Sequence, residues 1–240
     1  MKLIADPTGR FSQRPFYTQD ELDFECEQII TGLLKALHGE VRFPVATDDL
    51  LKLIERDAAD LDVYADLSAE GPDVEGVTDF VPNAKPEVRI SRHLAETPAL
   101  ARRYRTTLTH EYGHVRFHSY LFQLDQAQGR LGAGKRSRAN TCHRDRILEA
   151  PDRDWMEWQA GHACGAILMP VTFLRRTVRD AAARLGIVSL PLQTGNPEAL
   201  QVLAAVVEAF EVSQDAARVR LSKLGLLVDH PLPASLFGRP

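Results

Sequence analysis

Apolar positions recur at helical spacing through most of this chain, and the pattern predicts a mostly helical protein. Thr18 and Glu21 form a capping box at the first helix start, and Gly39 lies just past its last turn. Ser213 is a predicted N-cap for the last helix, with Gly225 after its end. The predicted helices cover residues 18–38, 47–58, 97–121, 154–169, 170–186, 197–211 and 213–225.

Between residues 60 and 91 the period changes to short, roughly alternating runs rich in β-branched residues and bounded by Gly, Pro and Asn. These runs, Asp60–Leu67, Val74–Pro82 and Pro86–Ser91, predict a small, mostly antiparallel three-stranded sheet. The expected fold is therefore α+β. The predicted organisation is an irregular segment 1–17, a main domain 18–189, a C-terminal helical cap resembling a helix-turn-helix at 190–230, opened by a linker 190–197, and a tail 231–240.

The composition changes this prediction little. The chain has 240 residues, is 44% hydrophobic and 26% charged, and carries a formal net charge of −4, which is typical of globular proteins and favours neither nucleic acid nor an anionic membrane as a partner. No secretory leader and no long apolar run is recognisable, so a cytoplasmic location is expected. Cys26, Cys142 and Cys164 are then expected to be thiols.

The segment LTHEYGHVRFHSY, Leu108 to Tyr120, contains the candidate chemistry. His110 and His114 lie one helical turn apart, so both imidazoles can reach one zinc ion. Glu111 lies about 100° round the helix, the position of a general base that acts on water beside the metal. Gly113 is unusual inside a helix and indicates close approach of another backbone. The alternative is an exposed helix whose histidines decorate a solvated face.

A catalytic zinc ion needs a third protein ligand. His118 is nearest in sequence but lies about 12 Å from His110 along a straight helix, so we expect it either behind the metal ligands or exposed to solvent. Glu157 is the better candidate, because it heads a stripe of mostly small residues on the next helix that would allow close packing against Gly113. Its alternative role is that of an acidic residue in the first turn of a helix capped by Asp154.

These two segments, TLTHEYGHVRFH and MEWQAGHACGAILMP, resemble the ImmA/IrrE family of zinc metallopeptidases over about Thr47 to Gly225. The resemblance implies that His110, His114 and Glu157 bind Zn²⁺ and that Glu111 is the catalytic glutamate. It also implies a zinc endopeptidase that cleaves a repressor-like regulator, often a helix-turn-helix protein of a mobile element or stress response. Gly161 departs from the family pattern, which usually has Asn at that position.

Other residues receive secondary assignments. His162, Tyr112 and Arg144 are candidate oxyanion donors, although His162 lies about 140° from Glu157 on its helix. His118, Cys142 and His162 are candidates to lie directly behind the metal ligands and to support them. A Cys142 thiolate in the fourth zinc position would hold the enzyme inactive, and the alternative is an ordinary thiol. An edge of the small sheet could hold the substrate as an added strand.

A different class of function is regulation through DNA or protein binding with a non-catalytic zinc site. Its basis is a C-terminal helix bearing Arg218, Arg220 and Lys223, and a basic segment at 130–146 that is predicted to be a mobile loop. However, apolar positions on the C-terminal helix favour a helical cap. A structural zinc site is less well supported, because such sites close all four positions, often with cysteine.

Overall fold

The computed structural model describes residues 1–81, 83–127, 138–143 and 154–229, with the backbone alone for 125–127 and 138–143. Over these residues the chain is α+β and mostly helical, as predicted. It divides into two compact units, Met1–Val171 and Thr172–Pro240. The boundary expected from the sequence, at residue 190, lies inside the second unit.

The N-terminal segment contains a short antiparallel hairpin of β1 (Lys2–Ala5) and β2 (Gln13–Phe16), where no regular structure was predicted. The first helix begins at the predicted capping box: Thr18 Oγ1 accepts from the Glu21 amide, and the Glu21 carboxylate accepts from the Thr18 amide. It ends at Gly39, whose φ of 75° is left-handed. The helices of the first unit are α1 (Gln19–His38), α2 (Thr47–Asp57), α3 (Arg92–Glu96), α4 (Ala101–Ala127) and α5 (Trp155–Leu168).

The main sheet contains the three predicted strands and a fourth. Its members are β3 (Asp60–Ala65), β4 (Val74–Phe80), β5 (Glu87–Ser91) and β6 (Arg138–His143), in the order β3-β5-β4-β6. The β3–β5 pairing is parallel, whereas β4 pairs antiparallel with both β5 and β6. The prediction of three strands was therefore wrong. The basic segment 130–146, which was predicted to be a mobile loop, includes β6. Residues 128–137 and 144–153 lie outside the described residues.

Helix α4 lies at the centre of the first unit. Every residue from Arg105 to Val115 is buried, because α2, α5 and β4 surround this part of the helix. Further along, Phe122 stacks on Phe80 of β4 with ring centroids 3.9 Å apart. The middle of α4 thus has no solvent-facing side, which is unusual for a helix with this many polar residues.

The second unit contains the following elements, except for the first residue of α6: α6 (Val171–Arg184), β7 (Leu192–Gln193), α7 (Pro197–Phe210), α8 (Gln214–Lys223) and β8 (Leu227–Val228). The predicted linker at 190–197 includes β7, which pairs in parallel with β8. Ser213 caps α8 by accepting from the Ala216 amide at 3.1 Å, as predicted. The tail from residue 231 lies outside the described residues. None of the helices in the described ranges has the length and apolar character needed to cross a membrane.

Candidate metal centre

The HEYGH residues lie in the fully buried part of α4. The side chains of His110, Glu111 and His114 are all 0% exposed. Buried polar side chains are costly unless they are paired or hold an ion. The alternative of a solvated histidine face is therefore contradicted.

Helix α5 packs directly on this turn, as the small-residue stripe predicted. A Cβ atom at Gly113 would lie 2.8 Å from the Ala160 Cα, so only glycine allows this approach. One turn further along the stripe, Cys164 Sγ lies 3.2 Å from Thr109 Oγ1 on α4. This close packing brings Glu157, at the N-terminal end of α5, to the two histidines.

The three side chains converge on one point. His110 Nε2 lies 3.1 Å from Glu157 Oε2, His114 Nε2 lies 3.2 Å from Glu157 Oε1, and the two Nε2 atoms are 3.2 Å apart. Ligands 2.0 to 2.1 Å from a tetrahedral zinc ion are about 3.3 to 3.4 Å apart, so the spacing fits a zinc site. Within the described ranges this is the one cluster of three or more His, Cys, Asp or Glu side chains that could hold a metal ion.

The electrostatics of the cluster favour a charged carboxylate. Burial raises the pKa of Glu157, but the positive charge on His114 and hydrogen bonds from both imidazoles outweigh it and hold this pKa well below its usual value. Burial lowers the pKa of His114, and the Glu157 carboxylate reverses this, so the net shift is upward. Because metal ligands must be deprotonated, a metal ion at this position would displace the imidazole proton.

His118 does not touch the carboxylate but contacts His114. The two Nδ1 atoms lie 3.0 Å apart, His118 Nε2 lies 3.1 Å from Gln159 Oε1, and Gln159 Nε2 donates to the Pro15 carbonyl at 3.0 Å. Burial and the neighbouring charge on His114 hold the pKa of His118 well below its usual value, so it is neutral. Only one tautomer chain satisfies all three contacts: His114 Nδ1–H donates to His118, and His118 Nε2–H donates to Gln159. When a metal ion displaces the Nε2 proton of His114, this arrangement directs the Nε2 lone pair at the cluster.

Glu111 lies against strand β4. Its Oε2 accepts a hydrogen bond of 2.6 Å from Thr78 Oγ1, whereas Oε1 has no hydrogen-bond partner among the described residues. A Cβ atom at Gly76 would lie 2.5 Å from that Oε1, so a larger residue there would force the Glu111 side chain to shift. Burial raises the pKa of Glu111, with opposition from both histidines and from Thr78.

The remaining predicted site residues lie elsewhere. The Tyr112 hydroxyl donates to Asp57 at 2.7 Å, on the side of α4 that faces α2, so it is not an oxyanion donor for this cluster. His162 bonds to Asp23 of α1 at 2.8 Å, and its assignment as a group behind the metal ligands stays a prediction. The backbone of Cys142 pairs with Gly76, and its side chain, like the whole of Arg144, lies outside the described residues.

Sequence reasoning missed Thr78, Gly76 and Gln159, which support the cluster residues. Gly76 had a signal, because an isolated glycine inside a strand pattern indicates close backbone approach. Taken together, fold and site define an α+β protein with a buried histidine–carboxylate cluster able to hold a metal ion. No known family model and no curated protein matches this sequence.

Proposed function

We propose that this chain is a zinc-dependent endopeptidase of the ImmA/IrrE type that cleaves a regulatory protein. The observation that carries the proposal is the convergence of His110, His114 and Glu157 next to a buried Glu111 that is not part of the metal-ligand set. These three residues would hold the zinc ion, which would supply Lewis-acid chemistry, the activation of water and the polarisation of a peptide carbonyl.

Glu111 supplies the proton chemistry in this proposal. Burial raises the pKa of its carboxyl, which strengthens it as a base for water. Thr78 holds Oε2, so Oε1 is the atom that takes the proton and later passes it to the leaving amine. Gly76 leaves room beside Oε1, because any larger residue would contact it.

The buried Glu111 also distinguishes this function from the alternative of a DNA-binding or protein-binding regulator with a non-catalytic zinc site. Two imidazoles and one carboxylate already supply three ligands, so Glu111 is not needed to hold the ion, and burial of this second carboxylate costs desolvation energy. In addition, Arg220 of α8 is 2% exposed, so one of the three basic residues behind the DNA-binding hypothesis is not available to phosphate.

The substrate class follows from the family resemblance: a repressor-like regulator whose cleavage relieves repression, with a helix-turn-helix protein as the leading candidate. A substrate of this class would be encoded beside this gene in a mobile element or stress-response system. Purified candidate repressors from that neighbourhood are therefore the substrates to test.

The test compares wild-type protein with Glu111→Gln in metal analysis and in cleavage of such a repressor. We expect about one zinc ion per chain in both proteins and a loss of cleavage in the variant of about 10² to 10⁴-fold, the usual contribution of a general base. Glu55→Gln, at an exposed position of α2, is the matched control and should cleave normally. The proposal would be refuted if Glu111→Gln cleaved the repressor at the wild-type rate, or if the wild-type protein contained no zinc.

A further inference from the structure

Strand β4 is the part of the sheet that touches the proposed general base. Gly76 and Thr78, two residues apart and therefore on one face of the strand, both contact Glu111. A peptide that paired with the edge of β4 at these residues would place its backbone beside Glu111. Strand addition of this kind is a general mode of peptide recognition.

That edge is already paired within the chain. Gly76 pairs with Cys142 and Thr78 pairs with Asn140, so both β4 residues that touch Glu111 lie in the ladder with β6. On its other edge, β4 pairs with β5 through Ile90 and Val88. Since neighbouring strands are about 4.8 Å apart, the β6 backbone occupies the position that a strand-like substrate would need.

The sequence of β6 and its connections in the chain are those of a strand that can dissociate from the sheet. Its residues, RANTCH, include Ala and Asn, which are depleted in strands, and the ladder is irregular between Val74 and Gly76. In the described part of the chain β6 pairs with β4 alone. The ligand helices α4 and α5, between which it is inserted in sequence, pack directly through Gly113 and Ala160. Loss of β6 would therefore leave the metal cluster intact.

The burial of the metal cluster and of Glu111 is the second observation that indicates a closed enzyme. His110, Glu111 and His114 are 0% exposed and Glu157 is 5% exposed, so no peptide bond of another protein can reach them in this conformation. We infer that β6 is an internal occupant of the substrate-binding edge and keeps the enzyme closed until an extended segment of the substrate displaces it. This inference rests on the proposed function and adds its regulation.

A disulfide that locks β6 onto β4 tests the inference. Asp79 and Ala139 are paired residues, and Asp79 alternates with the residues that face Glu111, so a link there lies on the far face of the sheet. The protein carries Asp79→Cys and Ala139→Cys together with Cys142→Ser, which removes a competing thiol. Each preparation is compared after oxidation and after reduction with a phosphine that does not bind zinc tightly.

Two readouts are used: repressor cleavage, and the rate at which a coloured chelator, 4-(2-pyridylazo)resorcinol, extracts the zinc. Because local opening controls access to buried groups, we expect the oxidised protein to lose zinc at least about tenfold more slowly than the reduced protein and to cleave no repressor. Cys142→Ser alone and Asp79→Cys with Cys142→Ser are the controls, and neither should respond to the oxidant.

The outcomes separate this inference from the proposed function. Equal zinc extraction and equal cleavage in the oxidised and reduced forms would refute the role of β6 while leaving a zinc peptidase. Slow extraction from the locked form in a protein that cleaves nothing would support β6 as the barrier to the metal and refute the peptidase. A protein that binds no zinc would refute both.

Discussion

Helix α5 takes part in two buried histidine–carboxylate contacts that look alike but differ in what they can do. Near its N-terminal end, Glu157 meets His110 and His114 of α4 at 3.1 and 3.2 Å. Five residues later, His162 meets Asp23 of α1 at 2.8 Å. Positions five residues apart point about 140° apart on a helix, so the two contacts face different partners.

The comparison shows that burial and a short distance do not identify a metal site. The His162–Asp23 contact is the shorter of the two, yet in the described ranges it belongs to no group of three metal-ligating side chains. The Glu157 cluster is different because i,i+4 spacing on α4 places two imidazole nitrogens on one carboxylate. The number of converging donors, set by helix geometry, is the distinguishing property.

Removal of each carboxylate should therefore give different results. Glu157→Ala leaves only two metal ligands. A change behind the ligands typically lowers metal affinity about 10- to 100-fold, and we expect the loss in Glu157→Ala to exceed this. The variant should therefore lose its zinc during purification. Asp23→Asn keeps a hydrogen-bonding group beside His162 and should retain about one zinc ion per chain. Zinc content after gel filtration, measured by mass spectrometry, checks both.

Thermal unfolding of the two variants is the control for folding, since each change affects a buried pair and costs stability. Retention of zinc by Glu157→Ala, with loss of zinc in His118→Ala, would reassign the third ligand to His118. Loss of zinc in Asp23→Asn at unchanged thermal stability would show that the two contacts are coupled and would invalidate the comparison.

Much of the cluster could be predicted from the sequence because its signals are local. The i,i+4 histidines report helix geometry, and Gly113 with the small residues of α5 reports close packing. The capping box at Thr18 and Glu21 predicted where α1 begins for the same reason. Each signal lies within a few residues and has one physical meaning.

The features that sequence reasoning missed depend on pairing between distant segments. Strand β6 has no alternating pattern, and its existence depends on the edge that β4 offers. The contact of His162 with Asp23 joins residues 139 positions apart, and neither helix shows in its own sequence that the other is near. The Tyr112 hydroxyl likewise finds Asp57 only once α2 packs on α4.

A smaller effect on zinc affinity is expected when a residue behind the metal ligands is changed. His118→Phe keeps a ring of similar size but leaves the His114 Nδ1–H without its acceptor, so we expect zinc affinity to fall about 10- to 100-fold. The same substitution at His38, which bonds to Asp49 at 2.8 Å outside the cluster, should leave the affinity unchanged. Competition with a chromogenic chelator measures both constants. Equal affinities for the two variants would mean that His118 only fills space.

The smallest expected effect tests whether the packing of α5 on α4 is what brings Glu157 to the two histidines. Gly113→Ala gains about 1 kcal/mol of helix propensity, but its Cβ would meet the Ala160 backbone, and overpacking costs about 1 to 3 kcal/mol. The expected net loss of stability is about 1 kcal/mol, with weaker zinc binding because α5 must move away. Gly32→Ala in α1, where no atom lies within 4 Å of the new Cβ, should instead stabilise the protein by up to about 1 kcal/mol. Urea unfolding of both variants measures this difference. If Gly113→Ala were stabilised as much as Gly32→Ala and kept its zinc affinity, close packing of α4 and α5 would not be what brings Glu157 to the histidines.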